Sequence, residues 1–132
     1  MKIERFEDLE CWQQARLLVN MVYSAINNSS SFQRDYRLVD QITGAAVSVM
    51  NNIVEGWASQ SNAEFIRFLT YSRRSGAETQ NCAYVAIDQG YIIEDTFNAI
   101  YDQALRTIKI IDGLLRYLRS RRQKKKVPPK LS

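Results

Sequence analysis

The chain has 132 residues, enough for one domain with a real apolar core and no need of disulfide staples. Eighteen basic residues face fourteen acidic ones, and histidine is absent. That absence excludes imidazole metal ligands, Ser-His and Cys-His nucleophile pairs, and the Glu-x-x-His pairs of di-iron bundles.

The first helix is predicted to begin near Asp8. Leu9, Trp12, Ala15, Val19, Val22 and Ile26 recur at steps of three and four and form its inner stripe. Leu17, Leu18, Met21 and Ala25 add apolar surface that a helix with one buried face does not need: either this helix is covered on two sides or the second strip meets another subunit, and we favour the subunit contact. Asn27 to Ser31 is a break, followed by a loop through Asp35.

The second helix, from about Arg37 to Ala58, is the element the others pack against. Leu38, Ile42, Ala45, Ala46, Val49, Ile53 and Trp57 lie on one side of it, with Gly44, Ser48 and Asn52 along the edge. Gly56 reads as a left-handed terminator. Ser59 to Ser61 is a short turn, so the third helix returns antiparallel beside the second. Ser61 and Glu64 have capping-box spacing.

Phe65, Phe68, Leu69, Ser72, Gly76, Thr79, Ala83 and Ala86 point inward on the third helix, which ends near Gly90. Counting out from the turn pairs Asn52 with Phe68, Ser48 with Ser72 and Ala45 with Gly76. Small residues thus oppose small ones, and the serines read as packing devices rather than nucleophiles.

The fourth helix follows Tyr91-Ile92-Ile93, with Asp95 or Thr96 as its cap. Phe97, Ile100, Tyr101, Ala104, Ile108, Ile111, Leu115 and Leu118 form its stripe, and Asp102 and Arg106 a surface pair. From Arg119 the apolar rhythm stops, and Pro128 and Pro129 oppose helix. The fold class is all-α: an antiparallel up-down-up-down four-helix bundle over residues 1–118, with a basic flexible tail over 119–132.

Charge is unevenly placed. Arg116, Arg119, Arg121, Arg122, Lys124, Lys125, Lys126 and Lys130 occupy the last seventeen residues, which hold no acid. Residues 1–115 carry ten basic against fourteen acidic groups, a net −4. Such an end either only keeps the chain solvated or binds phosphate, the reading we favour, in which case about six contacts would give a salt slope near −5 on a log–log scale. Arg73 adds to an outward stripe of Arg67, Tyr71, Arg74 and Glu78 on the third helix. Glu55, Glu64 and Glu78 stand near Arg67, Arg73 and Arg74, and structural ion pairing accounts for them better than acid–base chemistry. Neither a glycine-rich phosphate loop nor a paired-cysteine motif occurs, so no enzyme, metal or cofactor is expected. Cys11 and Cys82 read as small buried hydrophobes. No apolar run nears the roughly 20 residues that span a bilayer, and the charged opening is no secretory signal, so a reducing cytoplasm is the expected compartment.

Phe6-Glu7-Asp8-Leu9 with Trp12-Gln13 and Ala15-Arg16 resembles the opening of the small four-helix-bundle proteins encoded in intervening sequences of large-subunit ribosomal RNA genes. Leu38, Asp40-Gln41-Ile42, Ala45-Ala46-Val47-Ser48, Asn52-Ile53 and Glu55-Gly56 resemble that family's most recognisable segment. Glu64-Phe65, Arg67-Phe68-Leu69, Arg73, Ser75 and Glu78 resemble the next. The resemblance implies a helical subunit assembling as a homopentamer with a basic surface. A related branch, the accessory variability determinants of diversity-generating retroelements, implies binding to RNA or DNA and to a reverse transcriptase. This chain departs from the family at Thr43 and Gly44, where arginines are frequent, at Met50, where proline is, at Arg74, where glycine is, and at Gly76, where a larger apolar residue is. The expected function is therefore a non-enzymatic, homo-oligomeric nucleic-acid-binding protein, gripping phosphates through Arg73, Arg74, Arg116, Arg119, Arg121, Arg122 and Lys124 to Lys126. The alternative is an interaction scaffold that assembles through the first helix without nucleic acid.

Overall fold

The computed structural model describes residues 2–126, with side chains through Arg121. Among them every regular element is helical: a 3-10 turn at Phe6–Asp8, then α1 (Glu10–Asn27), α2 (Ser30–Arg34), α3 (Tyr36–Ala58), α4 (Asn62–Asp88) and α5 (Glu94–Lys126). The four long helices share one apolar core, α1 packing on α3 and α5, α3 on α4, and α4 on α5.

α2 is the element the sequence did not announce. Ser29 caps it, accepting the Phe32 N–H. One turn of helix buries Phe32 completely, stacked on Tyr91 at 5.4 Å between ring centroids. The Tyr91 hydroxyl donates to Asp35 at 2.9 Å, which holds the phenol pKa above its ordinary value. Asp35 also caps α3 by accepting the Leu38 N–H. The supposed loop is thus a lock between the start of α3 and the link that follows α4.

Helix ends follow backbone chemistry, once in an unexpected place. α3 turns at Gln60, whose φ of 55° is left-handed. Gly56, read as the terminator, lies buried inside α3, where a Cβ would fall 2.7 Å from Phe65 Cδ1 and 3.2 Å from Phe65 Cα. Its lack of a side chain lets the two helices approach. At the end of α4, Gly90 does take a left-handed φ of 76°. Its N–H bonds to the Ile87 carbonyl and that of Tyr91 to Ala86, a Schellman closure. Ser61 caps α4 by accepting the Glu64 N–H, but the reciprocal arm of the box is not made. Ser61 N–H goes to Ser59 Oγ, and Glu64 turns to Arg67.

The buried seam of the first helix keeps Leu9, Ala15, Val22 and Ile26 of the predicted stripe and widens to one side, taking in Cys11, Leu18 and Ala25, while Trp12 and Val19 only border it. Bulky Trp12 packs edge-on against Phe6 instead. Of the supposed extra strip, only Leu17, 50% exposed, and partly buried Met21 remain at the surface. A buried polar tie went unread: Gln103 donates to both the backbone and the side-chain oxygen of Gln14 at 2.9 Å, joining α5 to α1.

The contact of α3 with α4 is close, but its register differs from the one counted out from the turn. Ser48 bonds Ser75 at 2.9 Å, and Ser72 donates to the Val49 carbonyl at 2.7 Å, fully buried. Asn52 turns back onto Ser48 rather than across to α4. Gly76 does not oppose Ala45. The site a Cβ would take is filled by Ile108 of α5, 2.9 Å away at Cγ1, and no atom of α3 comes within 4 Å of it. Gly44 opens to space and packs nothing. Asp102 and Arg106 do not pair; the ion pairs among the described residues are Lys2–Glu4, Arg5–Glu7, Glu64–Arg67 and Arg73–Asp112.

The helix α5 continues through Lys126, so the stretch from Arg119 to Lys126 is helix where a flexible tail was expected. Arginine and lysine are good helix formers, and cations near a helix C-terminus complement its dipole, so an apolar stripe is not required to extend it. Pro128, Pro129 and Lys130 lie outside the described residues. Both cysteines are free and buried, and burial pushes the Cys11 thiol up to about 12, as befits a core residue rather than a nucleophile.

The two α3 glycines yield opposite expectations. Gly56→Ala must displace Phe65, backbone included, and should cost about 1–3 kcal/mol. Gly44→Ala meets nothing and should add about 0.5–1 kcal/mol through helix propensity. Urea unfolding of the two variants measures both signs.

Candidate nucleic-acid interface

Two arginines on α4 and two on α5 converge. On α4 the buried Leu69, Ser72 and Gly76 set the inner side, and Thr70, Arg73 and Arg74 follow one or two positions on. On α5 the buried Ile111, Leu115 and Leu118 are each followed by an outward residue: Asp112, Arg116 and Arg119. Because the helix period repeats these offsets, the outward residues form one row on each helix. The rows meet along a groove of about 500 Å³ lined by Thr70, Arg73 and Arg74 from α4 and by Asp112, Leu115, Arg116 and Arg119 from α5.

Four guanidinium groups thus share the groove with one carboxylate. Arg73 Nε donates to Asp112 Oδ1 at 2.6 Å, both side chains being partly solvated. In water such a pair is worth about 0–1 kcal/mol, so an incoming phosphate can compete for Arg73. Arg74, Arg116 and Arg119 pair with no carboxylate among the described residues. Planar, permanently charged guanidinium groups are the side chains best fitted to bidentate phosphate contact.

Beyond Arg74, outside the groove's lining and on the flank of α4 away from Arg73, stands an aromatic pair, Phe68 and Tyr71. Arg74 lies 6.0 Å from the centroid of the Tyr71 ring, and Arg67 lies over the same ring at 5.6 Å and over Phe68 at 4.6 Å. Arg67 is held by Glu64 at 2.6 and 2.9 Å and donates to the Tyr71 hydroxyl at 3.3 Å.

Of the nine basic residues singled out in the sequence, the fold brings four together: Arg73, Arg74, Arg116 and Arg119. Arg121 stands apart. It donates to the Tyr117 hydroxyl at 2.8 Å and borders a separate hollow with Trp57, Phe65 and Leu118. Arg122, Lys124, Lys125 and Lys126 belong to α5 by backbone, and their side chains lie outside the described residues. Asp112 was missed, although its position four before Arg116 and seven before Arg119 shows it on the same helix face. Of the three glutamates expected to form structural ion pairs, Glu64 pairs with Arg67, whereas Glu55 and Glu78 pair with no cation among the described residues. The serines of α3 and α4 are engaged with one another and with backbone.

The geometry defines an all-helical protein with a cationic groove between two of its long helices. The family model of the 23S rRNA-intervening sequence proteins matches residues 7–113, and the chain belongs to that family. A crystal structure of a protein of unknown function from the S23 ribosomal protein family of Bacteroides thetaiotaomicron shares the fold. Its TM-score is 0.67 at 23% identity, covering 80% of this chain and 91% of that one. No curated protein matches. Among the described residues no helix is long and apolar enough to cross a membrane.

Asp112→Asn removes the one negative group from the groove. It should tighten binding of inorganic polyphosphate severalfold and steepen the log–log salt slope by about 1, at a stability cost below about 1 kcal/mol. Titration at several salt concentrations measures the slope.

Proposed function

We propose that this chain is a non-enzymatic, homo-oligomeric RNA-binding protein that holds phosphates in the α4–α5 groove. The observation that carries the proposal is the convergence of Arg73, Arg74, Arg116 and Arg119, far apart in sequence, on one groove with a single carboxylate. Such contacts hold a strand in place without reading its sequence. The fold behind the groove is taken as an antiparallel up-down-up-down bundle. The cross-helix partners Ser48–Ser75, Val49–Ser72 and Gly56–Phe65, which descend on α4 as they ascend on α3, support that arrangement. Assembly as a pentamer, and service to a reverse transcriptase that uses the bound RNA, extend the proposal through the family resemblance. Replacing Arg74, Arg116 and Arg119 together by Glu should leave the circular dichroism spectrum unchanged. It should also weaken single-stranded RNA binding at low salt by about 100-fold or more and flatten the salt slope by about 2. Unchanged affinity in that variant would overturn the reading.

A second reading, a scaffold that assembles through α1, has its own observation. Leu17 is 50% exposed and Ile93 68% exposed, and both border an apolar hollow of about 610 Å³ between α1 and the start of α5. Leu17→Glu should dissociate an oligomer built there into folded monomers with the groove intact, as sedimentation would measure. If the variant loses assembly and keeps RNA binding, the two properties occupy different faces.

A further inference from the structure

We infer that the groove takes an unpaired strand rather than a duplex, with Tyr71 as the platform on which a base stacks. This rests on the reading of the groove as a phosphate site and adds what that reading leaves open, the class of nucleic acid. Phosphate contacts alone do not distinguish paired from unpaired strands, whereas an exposed base can stack on an aromatic ring or a guanidinium plane.

The placement is specific. Around α4, at 3.6 residues per turn, the outward order runs Arg73, Thr70, Arg74, Arg67, Tyr71, so the ring lies just past the groove's Arg74. Tyr71 is 37% exposed, and its ring is braced: Phe68 meets it edge-on at 5.9 Å, and Arg67 holds the hydroxyl. Arg67 is itself fixed by two bonds to Glu64. Arg74, by contrast, lies at the limit of contact with the ring, 6.0 Å from its centroid, and no carboxylate among the described residues restrains it. Arg74 can therefore turn to a phosphate in the groove and leave its side of the Tyr71 ring to the adjoining base. A bound nucleotide would then reach from the groove past Arg74 to the neighbouring ring, its phosphate on Arg74 at the groove's edge and its base on a ring already held in place. In a duplex the bases are stacked and paired inside, so only the phosphate half of that contact is available.

The test compares three probes: a single-stranded oligoribonucleotide containing 2-aminopurine, the same strand in a duplex, and inorganic polyphosphate. Tyr71→Ala should weaken the single strand by about 10-fold or more and leave duplex and polyphosphate unchanged. The 2-aminopurine quenching seen with the unaltered protein should be lost. Tyr71→Phe, which keeps the ring, should bind the single strand as the unaltered protein does. An equal loss on all three probes, or no loss on any, overturns the stacking inference and leaves the groove standing. Failure of the unaltered protein to bind even polyphosphate overturns the groove itself. If a pull-down from cell extract, repeated after nuclease treatment, retains a protein through Tyr71, the surface is a protein contact and the inference falls.

Discussion

The groove depends on the seat of Ile108 on Gly76. A side chain at 76 would put a carbon 2.9 Å from Ile108 Cγ1, so the missing Cβ is what lets α5 close on α4 at that level. Three residues earlier on α4 and four later on α5, Arg73 meets Asp112; Thr70 and Arg116, one turn further along each helix, line the same groove. The register of the arginine rows is therefore set by an apolar contact one turn away. A second contact fixes the rotation of α4 about its own axis: Ser72 gives its hydroxyl to the Val49 carbonyl in a fully buried bond. Turning α4 would strand the fully buried Ser72 hydroxyl without a partner, which costs about 1–3 kcal/mol, so α4 resists turning. With Ser72 held by α3 and Gly76 by α5, the neighbouring 73 and 74 have solvent as their direction.

The groove also joins two electrically different parts of the chain. The body through residue 115 is net negative, and every charged side chain in the remainder is basic. Asp112 stands close to that boundary and Arg116 just past it. The family match ends at 113, so Arg73, Arg74 and Asp112 lie within it and Arg116 and Arg119 beyond it. A basic α4 alone would present two guanidinium groups, one neutralised by Asp112. The continuation of α5 supplies the two that make the groove cationic on both walls.

Much of this was legible in the residues, and the exceptions have physical causes. The long helices follow from three-four spacing, which packing rewards directly: of α4's predicted inner residues, Phe65, Leu69, Ser72, Gly76, Thr79, Ala83 and Ala86 are buried, and Phe68 is only partly so. Which flank of α1 joins the shared Leu9, Ala15, Val22 and Ile26 was not legible, because Trp12 and Val19 on one side and Cys11 and Leu18 on the other both continue a three-four spacing. Only the neighbours decide which seam is filled, and Trp12 found Phe6. Glycine proved the least readable residue. Gly56, Gly76 and Gly44 look alike in a helical sequence, yet one admits Phe65, one admits Ile108 and one faces space. The short helix α2 was hidden for a different reason: Phe32 is buried by Tyr91, nearly sixty residues away, and no local pattern signals that contact. The basic residues were visible as a composition, but their division between the groove and the Tyr117 side of α5 follows from helix phase. That could be read only once the helix was known to continue past Leu118.

That continuation changes the physics of binding. A flexible basic tail would attract polyanions yet lose chain entropy on each contact, roughly 1–2 kcal/mol for every residue whose backbone becomes fixed. In α5 the backbone of Arg116, Arg119 and Arg121 is already ordered, and only side-chain freedom remains to be lost. Order also imposes selection by position: Arg116 and Arg119 stand three apart on one face and act together, while Arg121 is turned toward Tyr117 and cannot join them without leaving its hydrogen bond. A rigid pair facing Arg73 and Arg74 across a fixed gap favours a ligand whose charges repeat at a matching interval. A polyphosphate backbone has such a repeat, and a lone anion does not.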